Sequence, residues 1–483
     1  MFSWMRHWPR QALIFAVITV VILGASVWAS WPIMTAEPEP SIDFIAMQNE
    51  LVAAGQPQGE DGWPALRTII VDGLGRTGDA RKVVGTRHAA ATAFNRSSAL
   101  QFGEWDEINR TADIAQLETF DDLLEPLIAA MQAPRFHAPY VHKGNALTGE
   151  LDPDHQTMLI STIDISWLGS ARLLVSLNTM AMRVAAAQGD WDEFLDHFRA
   201  GMALGERVMR QATLIEQLVG MAIISSAICE AVLSCHEFDP PPSVIDAAVN
   251  IIDGLAWSRE ESTRRWISAE RNWILDVIQW SYSSRGSGGG QLVMPDVLLM
   301  IASGPMLPMA LPSEHVTQFA GLFVEGRDRA NLRINAMFDE ILTRSAMPPN
   351  ERGDVDDVIE KHADRGFIGV LLRITTPALD RAMSQGKTLD STLRGHRLGL
   401  LLKRYQLQTG EWPERLEDAV SLEDSTDPIS GEPFIYERLI DDESGRPFVI
   451  RIPWHDPERS IDHIHTARWS LSDAPTSTGI QID

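Results

Sequence analysis

The stretch richest in groups that could do chemistry is WHDPERSIDHIHTARW, near the C-terminus, which holds His455, Asp456, Asp462, His463 and His465. In an extended strand, side chains two residues apart share a face, so His463 and His465 would aim both imidazoles at one metal ion. With His455 and Asp462 they form the candidate metal site, although no nucleophile stands beside them and an H-x-H pair also arises by chance. A second candidate is Gly73-x-Gly75-x-x-Gly78, placed after Ile69-Ile70-Val71 as in a dinucleotide-binding turn. Its context does not fit, because no alternating strand and helix pattern follows and no acidic residue stands about 20 positions on to hold a ribose. A glycine-rich turn is the plainer reading. Asp441, Asp442 and Glu443 crowd three carboxylates that could bind Ca²⁺ weakly or form a solvated turn. No G-x-S-x-G elbow, H-E-x-x-H helix, Walker loop, C-x-x-C pair or kinase signature occurs. No reaction, catalytic residue or cofactor is therefore predicted.

The chain of 483 residues is 45% hydrophobic and 22% charged, a composition that buries a large core. Its formal net charge of -25 repels phosphate backbones, and no local Lys/Arg cluster offsets it, so no nucleic acid is expected as a partner, and the failed context of the glycine motif means that no nucleotide is expected either. Only Cys229 and Cys235 are available for disulfide bonding. On one continuous helix their Cα atoms would stand roughly 9 Å apart, beyond an unstrained bridge. A bond would require the helix to end between them.

The strongest single signal is ALIFAVITVVILGASVWA, Ala12 to Ala29, an uncharged run that as a helix spans roughly 27 Å, close to the hydrocarbon thickness of a bilayer. Arg6, His7 and Arg10 precede it, Glu37 and Glu39 follow, and Trp4, Trp8, Trp28 and Trp31 flank it as interfacial aromatics do. The positive-inside rule places the N-terminus in the cytoplasm and the remainder outside it. Val27 and Ala29 would also suit a signal-peptide cleavage, which leaves the compartment unchanged. Leu218 to Cys229 and the Pro-broken Leu298 to Leu311 read as too short to span, which leaves one membrane crossing.

The expected architecture is mainly α: an N-terminal transmembrane helix, a multi-helix body with a TPR-like helical hairpin, and a small α+β C-terminal module. The predicted segments are a cytoplasmic terminus over 1–10, the anchor over 11–31 and a linker over 32–40. A helical body over 41–282 and a Gly/Ser-rich loop over 283–293 follow, then a second helical part over 294–385 and a long helix with a β module over 386–483. Helix is expected over 114–131, broken at Pro126, and over 161–188 and 191–210, with Gly189 as a left-handed cap and Asp190 as an N-cap. The segment QGDWDEFLDHFRAGMAL resembles the turn and second helix of a tetratricopeptide repeat, with Phe194 where a small residue is usual. Further helices are expected over 214–235, over 244–255 behind Ser243 as cap, and over 259–282. The last carries Trp266, Trp273 and Trp280 on one stripe and an exposed Glu261–Arg265 pair away from it. Helix resumes over 313–344 and from about Thr388 to Gln408.

Beyond Tyr405 turn residues dominate: Gly410 ends the helix, Pro413 starts a short one, and DPISG turns into a strand over 434–439 paired through DDESG with 447–452. The order Tyr405, Gly410, Trp412-Pro413, Leu416, then Asp427-Pro428, Gly431, Pro433 and Tyr436 resembles the C-terminal part of type II secretion major pseudopilins. Here it follows a body of some 370 residues, with no prepilin-peptidase site before Ala12, which argues against a filament subunit. The whole layout resembles uncharacterised single-pass membrane proteins of planctomycete-type bacteria, through GDWDEFLDHFRAGMAL, TLIEQLVGMAI and LLKRYQLQTGEWPERLEDAV. That resemblance implies topology, not activity. The function expected is that of an envelope interaction or scaffold protein fixed in the bacterial inner membrane by Ala12 to Ala29, with envelope proteins as partners. The alternatives are a metal-dependent hydrolase using the His-rich tail and an accessory of a secretion or pilus-like system.

Overall fold

The structure, a computed structural model, describes residues 38, 40–75, 86–97, 107–141, 147, 160, 163–255, 258–283, 288–290, 292, 325–347, 355–362, 367–440, 447–453 and 463–464. The apolar run Ala12 to Ala29 lies outside them, as does the part of the predicted helix over 313–344 that precedes Glu325. The described chain is mainly helical and closes with a small antiparallel sheet.

Helices α1 (Phe44–Ala54), α2 (Trp63–Thr68, continued by a π turn Ile69–Gly73), α3 (Thr86–Ser97), α4 (Glu107–Leu117) and α5 (Asp121–Ala130) form the first part of the body. The break expected at Pro126 falls earlier, in a 3₁₀ turn at Glu118–Phe120, and Pro126 sits inside α5. The chain bends where Leu117 and Phe120 turn into a shared core with Leu123, Leu124 and Leu127.

The centre of the body is an up-down-up layer of α6 (Trp167–Gln188), α7 (Trp191–Met209) and α8 (Leu214–Phe238). Gly189 takes φ 77, a conformation that costs glycine little, and Asp190 caps α7 by accepting from the Glu193 amide at 3.1 Å. The predicted hairpin therefore forms with both caps in place. Between α7 and α8 the backbones nearly touch: a Cβ at Gly220 would lie 2.7 Å from the Gly205 carbonyl, and one at Gly205 2.9 Å from the Gly220 carbonyl. Glycine is required here by proximity rather than by backbone angle.

Helix α8 corrects the expectation that this stretch is too short to cross a bilayer: it runs 25 residues with a mean hydropathy of 2.0 in its most apolar window. Its surroundings are those of a core helix, since α6, α7 and α13 (Phe367–Thr409) pack on it and Glu216, Gln217 and Glu230 are buried within it. Cys229 and Cys235 both lie on this unbroken helix and are not disulfide-bonded.

Helix α9 (Pro242–Asp253) begins one residue before its expected cap, because Pro242 occupies the first helical position, where its fixed φ suits helix initiation and its missing N–H is not needed. Helix α10 (Arg259–Ser281) buries Trp266 and packs Trp273 and Trp280 against the core formed with α11 (Arg327–Ser345), α12 (Val355–His362) and α13, so the stripe serves packing. The Glu261–Arg265 pair forms at 2.7 Å, but it is not the exposed pair expected. Arg265 is 7% exposed and also donates to the Arg210 carbonyl at 3.1 Å, in space left by the absent side chain of Gly55.

The predicted loop over 283–293 is tied down at its described residues: the amides of Arg327 and Asp328 donate to Gly290 and Gly288. Helix α13 starts at Phe367, some 20 residues before its expected start, because Leu372, Leu379 and Met383 have a core to enter that sequence patterning did not reveal. Gly410, at φ 81, ends it as expected. The short helix expected at Pro413 is a 3₁₀ turn at Leu416–Asp418. Strands β1 (Ile435–Arg438), β2 (Phe448–Arg451) and β3 (His463–Ile464) follow, antiparallel in the order β1-β2-β3, with Tyr436 opposite Ile450.

Candidate functional site

Of the predicted metal ligands, His463 lies on β3 opposite Arg451, while His455, Asp462 and His465 fall outside the described residues. Asp441, Asp442 and Glu443 fall outside them as well. Among the described residues no three His, Cys, Asp or Glu side chains gather as a metal would require. The glycine-rich segment follows helix rather than strand: Ile69, Ile70 and Val71 form the π turn that Gly73 closes, and a Cβ on Gly73 would collide with Leu123. A phosphate-cradling turn needs a strand leading into it, so this one serves packing.

The site that the fold does build is an open groove of about 510 Å³ where α3 crosses α6 and α8. Its origin is three helix faces. On α3, His88, Thr92, Asn95 and Arg96 stand at i, i+4, i+7 and i+8, hence on one face, while Ala91 and Phe94 point into the core and Phe94 stacks on Phe120 at 6.0 Å. On α6, Gly169, Arg172, Leu173 and Ser176 share a face by the same rule. Ala222, Ile223 and Ser226 of α8 supply the third wall.

Two interactions brace the groove. The Ser176 hydroxyl donates to Asn95 Oδ1 at 2.5 Å, which ties α3 to α6. Within α3, the Thr92 hydroxyl donates to the His88 carbonyl at 2.8 Å. Among the described residues no Asp or Glu lines the groove, although acidic residues outnumber basic ones 66 to 41 in the chain. Most described arginines are held by carboxylates, for example Arg87 by Asp122, Arg210 by Glu206 and Arg333 by Glu325. Arg96 and Arg172 have no carboxylate partner among the described residues, and both are exposed. The groove can thus offer two guanidinium groups, an imidazole, an amide and hydroxyls to a hydrophilic ligand. Sequence reading missed it because 86–97 carries few large apolar residues. The usable signal was the i, i+4, i+7, i+8 recurrence of polar side chains among alanines.

Two buried polar clusters are structural. Glu216 is fully buried at the start of α8, and one carboxylate oxygen accepts from the Thr213 amide at 3.0 Å, the Thr213 hydroxyl at 2.8 Å and the Tyr140 hydroxyl. Burial pushes its pKa up to about 7, while the bonds from Tyr140 and Thr213 hold it down. Tyr140 in turn accepts from the Ala212 amide at 2.8 Å, and burial beside Glu216 raises its own pKa well above the usual phenol value. The second cluster joins the C-terminal module to the body. His236 of α8 stacks on Trp412 at 5.5 Å with 8° between the ring planes, Phe448 of β2 meets both rings edgewise, and the Lys403 ammonium lies 5.6 Å from the Trp412 ring. Enclosure among these groups pushes the His236 pKa down to about 3, with Lys403 adding to the effect, so the ring is neutral at physiological pH.

Comparison of the chain with protein-family models, with curated proteins and with solved structures gave no match, so the groove and the fold stand on their own geometry.

Proposed function

We propose that this chain is a single-pass protein of the bacterial inner membrane, anchored by Ala12 to Ala29, whose helical body works outside the cytoplasm as an interaction module. The groove between α3, α6 and α8 is its receiving surface. The observation that carries this reading is the groove itself: three helix faces of which two are tied by the Ser176–Asn95 bond, an open volume of about 510 Å³, and two arginines with no carboxylate partner among the described residues. Clefts of that volume suit a small ligand or the tip of a partner's side-chain cluster. The caps of the α6–α7 hairpin and the buried Phe198 support the finer reading of a TPR-like unit, from which the buried Phe194 departs. Such hairpins offer broad helical faces to partners.

The test is affinity isolation of the anchored protein from solubilised membranes, run beside a Ser226→Trp variant. Ser226 is exposed on the groove wall, so an indole there fills the groove without entering the core. Reproducible partners captured by the parent and lost from the variant are expected. Equal capture by both refutes the groove as receiving surface. Topology is checked separately by external protease on intact spheroplasts, where protection of everything beyond position 40 refutes the extracytoplasmic placement.

A further inference from the structure

We propose that the α3–α6–α8 groove is a binding site for a small hydrophilic oxyanion, a phosphate ester or a carboxylated sugar, gripped by Arg96 and Arg172. This deepens the interaction reading above and rests on the same groove.

Several surface guanidinium groups of this chain are held by a carboxylate: Arg264 meets Glu260 at 2.7 Å, Arg404 meets Asp246 at 2.7 Å, and Arg199 meets Asp196 at 2.7 Å. Arg96 and Arg172 lie on different helices, face one groove, and have no carboxylate beside them on its walls among the described residues. An oxyanion seated in the groove gains Coulomb attraction from guanidinium groups on two of its walls. A guanidinium presents a planar fork of donors that matches carboxylate and phosphate oxygens, so this pair suits an oxyanion better than a halide.

The remaining lining sets the ligand's character. His88, Thr92 and Ser226 add further polar groups, and the Asn95–Ser176 bond fixes the approach of α3 to α6 before any ligand arrives, which reduces the ordering cost of binding. Only Leu173, Val175, Ala222 and Ile223 give an apolar floor. A hydroxylated anion satisfies such a wall, whereas a fatty or aromatic ligand offers the two guanidinium groups no acceptor.

The experiment uses the full-length chain in detergent micelles and isothermal titration with three probes: inorganic phosphate, glucuronate and glucose. The variants are Arg96→Ala/Arg172→Ala and, as control, Arg264→Ala, which removes an exposed arginine of the ordinary paired kind. Matching urea midpoints establish that all three proteins are folded. Saturable binding of phosphate or glucuronate to parent and control is expected, weakened about tenfold or more in the double variant, a loss of the size expected for a charge-assisted hydrogen-bond partner. Glucose should not bind. Tighter binding of phosphate points to a phosphate ester and tighter binding of glucuronate to a carboxylated sugar. Absence of saturable binding by either anion overturns the proposal, as does equal loss in the control. If Ser226→Trp abolishes partner capture while neither anion binds, the interaction reading survives and the oxyanion inference fails.

Discussion

The Tyr140 hydroxyl is the most exacting test of how this body is held together. It donates to the buried Glu216 carboxylate and accepts from the buried Ala212 amide at 2.8 Å, so Tyr140→Phe removes one donor from a carboxylate and one acceptor from a backbone N–H. A hydrogen bond to a charged group is worth about 1.5–3 kcal/mol and an orphaned buried amide costs about 1–3 kcal/mol, so a loss of about 3–4 kcal/mol is expected where Glu216 is ionised. The loss depends on pH, and its sign is fixed by linkage. Burial raises the Glu216 pKa to about 7 in the folded chain against an ordinary value of 4.5, so its ionisation costs stability as pH rises from 4.5 through 7. Removing the Tyr140 bond raises the folded pKa further, and each unit of rise adds about 1.4 kcal/mol of destabilisation at high pH. At about pH 5 the carboxyl is protonated in both proteins, and the difference shrinks to about 1–2 kcal/mol for the neutral bond and the amide. Urea unfolding at the two pH values gives both differences. A penalty that is the same at pH 5 and at about pH 8.5 would refute the ionised Glu216–Tyr140 bond as the source of the effect.

Three further outcomes are expected. Gly220→Ala places a methyl 2.7 Å from the Gly205 carbonyl and should destabilise the chain by about 1–3 kcal/mol through forced separation of α7 and α8, and an unchanged urea midpoint would contradict that close approach. Trp412→Ala removes the ring that stacks on His236 and meets Phe448, so limited proteolysis should release the C-terminal module faster than from the parent, and an unchanged rate would show that other contacts hold it. His236 and His197 have folded pKa values lowered to about 3 and about 4 from 6.5, chiefly by burial. Their contribution is complete above pH 6.5 and drains away as pH falls toward 3; His236→Phe, which keeps the stacking, should flatten this acid limb, and an acid limb identical to the parent's would exclude His236 from it.

The sequence by itself determined what depends on nearest neighbours along the chain. The caps at Gly189 and Asp190, the stop at Gly410, the helices that begin at Trp191, Leu214 and Arg259, and the antiparallel pairing of β1 with β2 follow local chemistry, and all form where expected. Tertiary structure alone decided what depends on the opposite wall. Arg265 is buried because Gly55 leaves it a channel, α8 is enclosed because α6, α7 and α13 pack on it, and α13 begins early because a core receives Leu372 and Leu379. The groove belongs to the same class. His88, Asn95 and Arg96 become a surface only when α3 crosses α6 and α8, and the distance between Asn95 and Ser176 in space has no counterpart in the 81 residues that separate them in the chain.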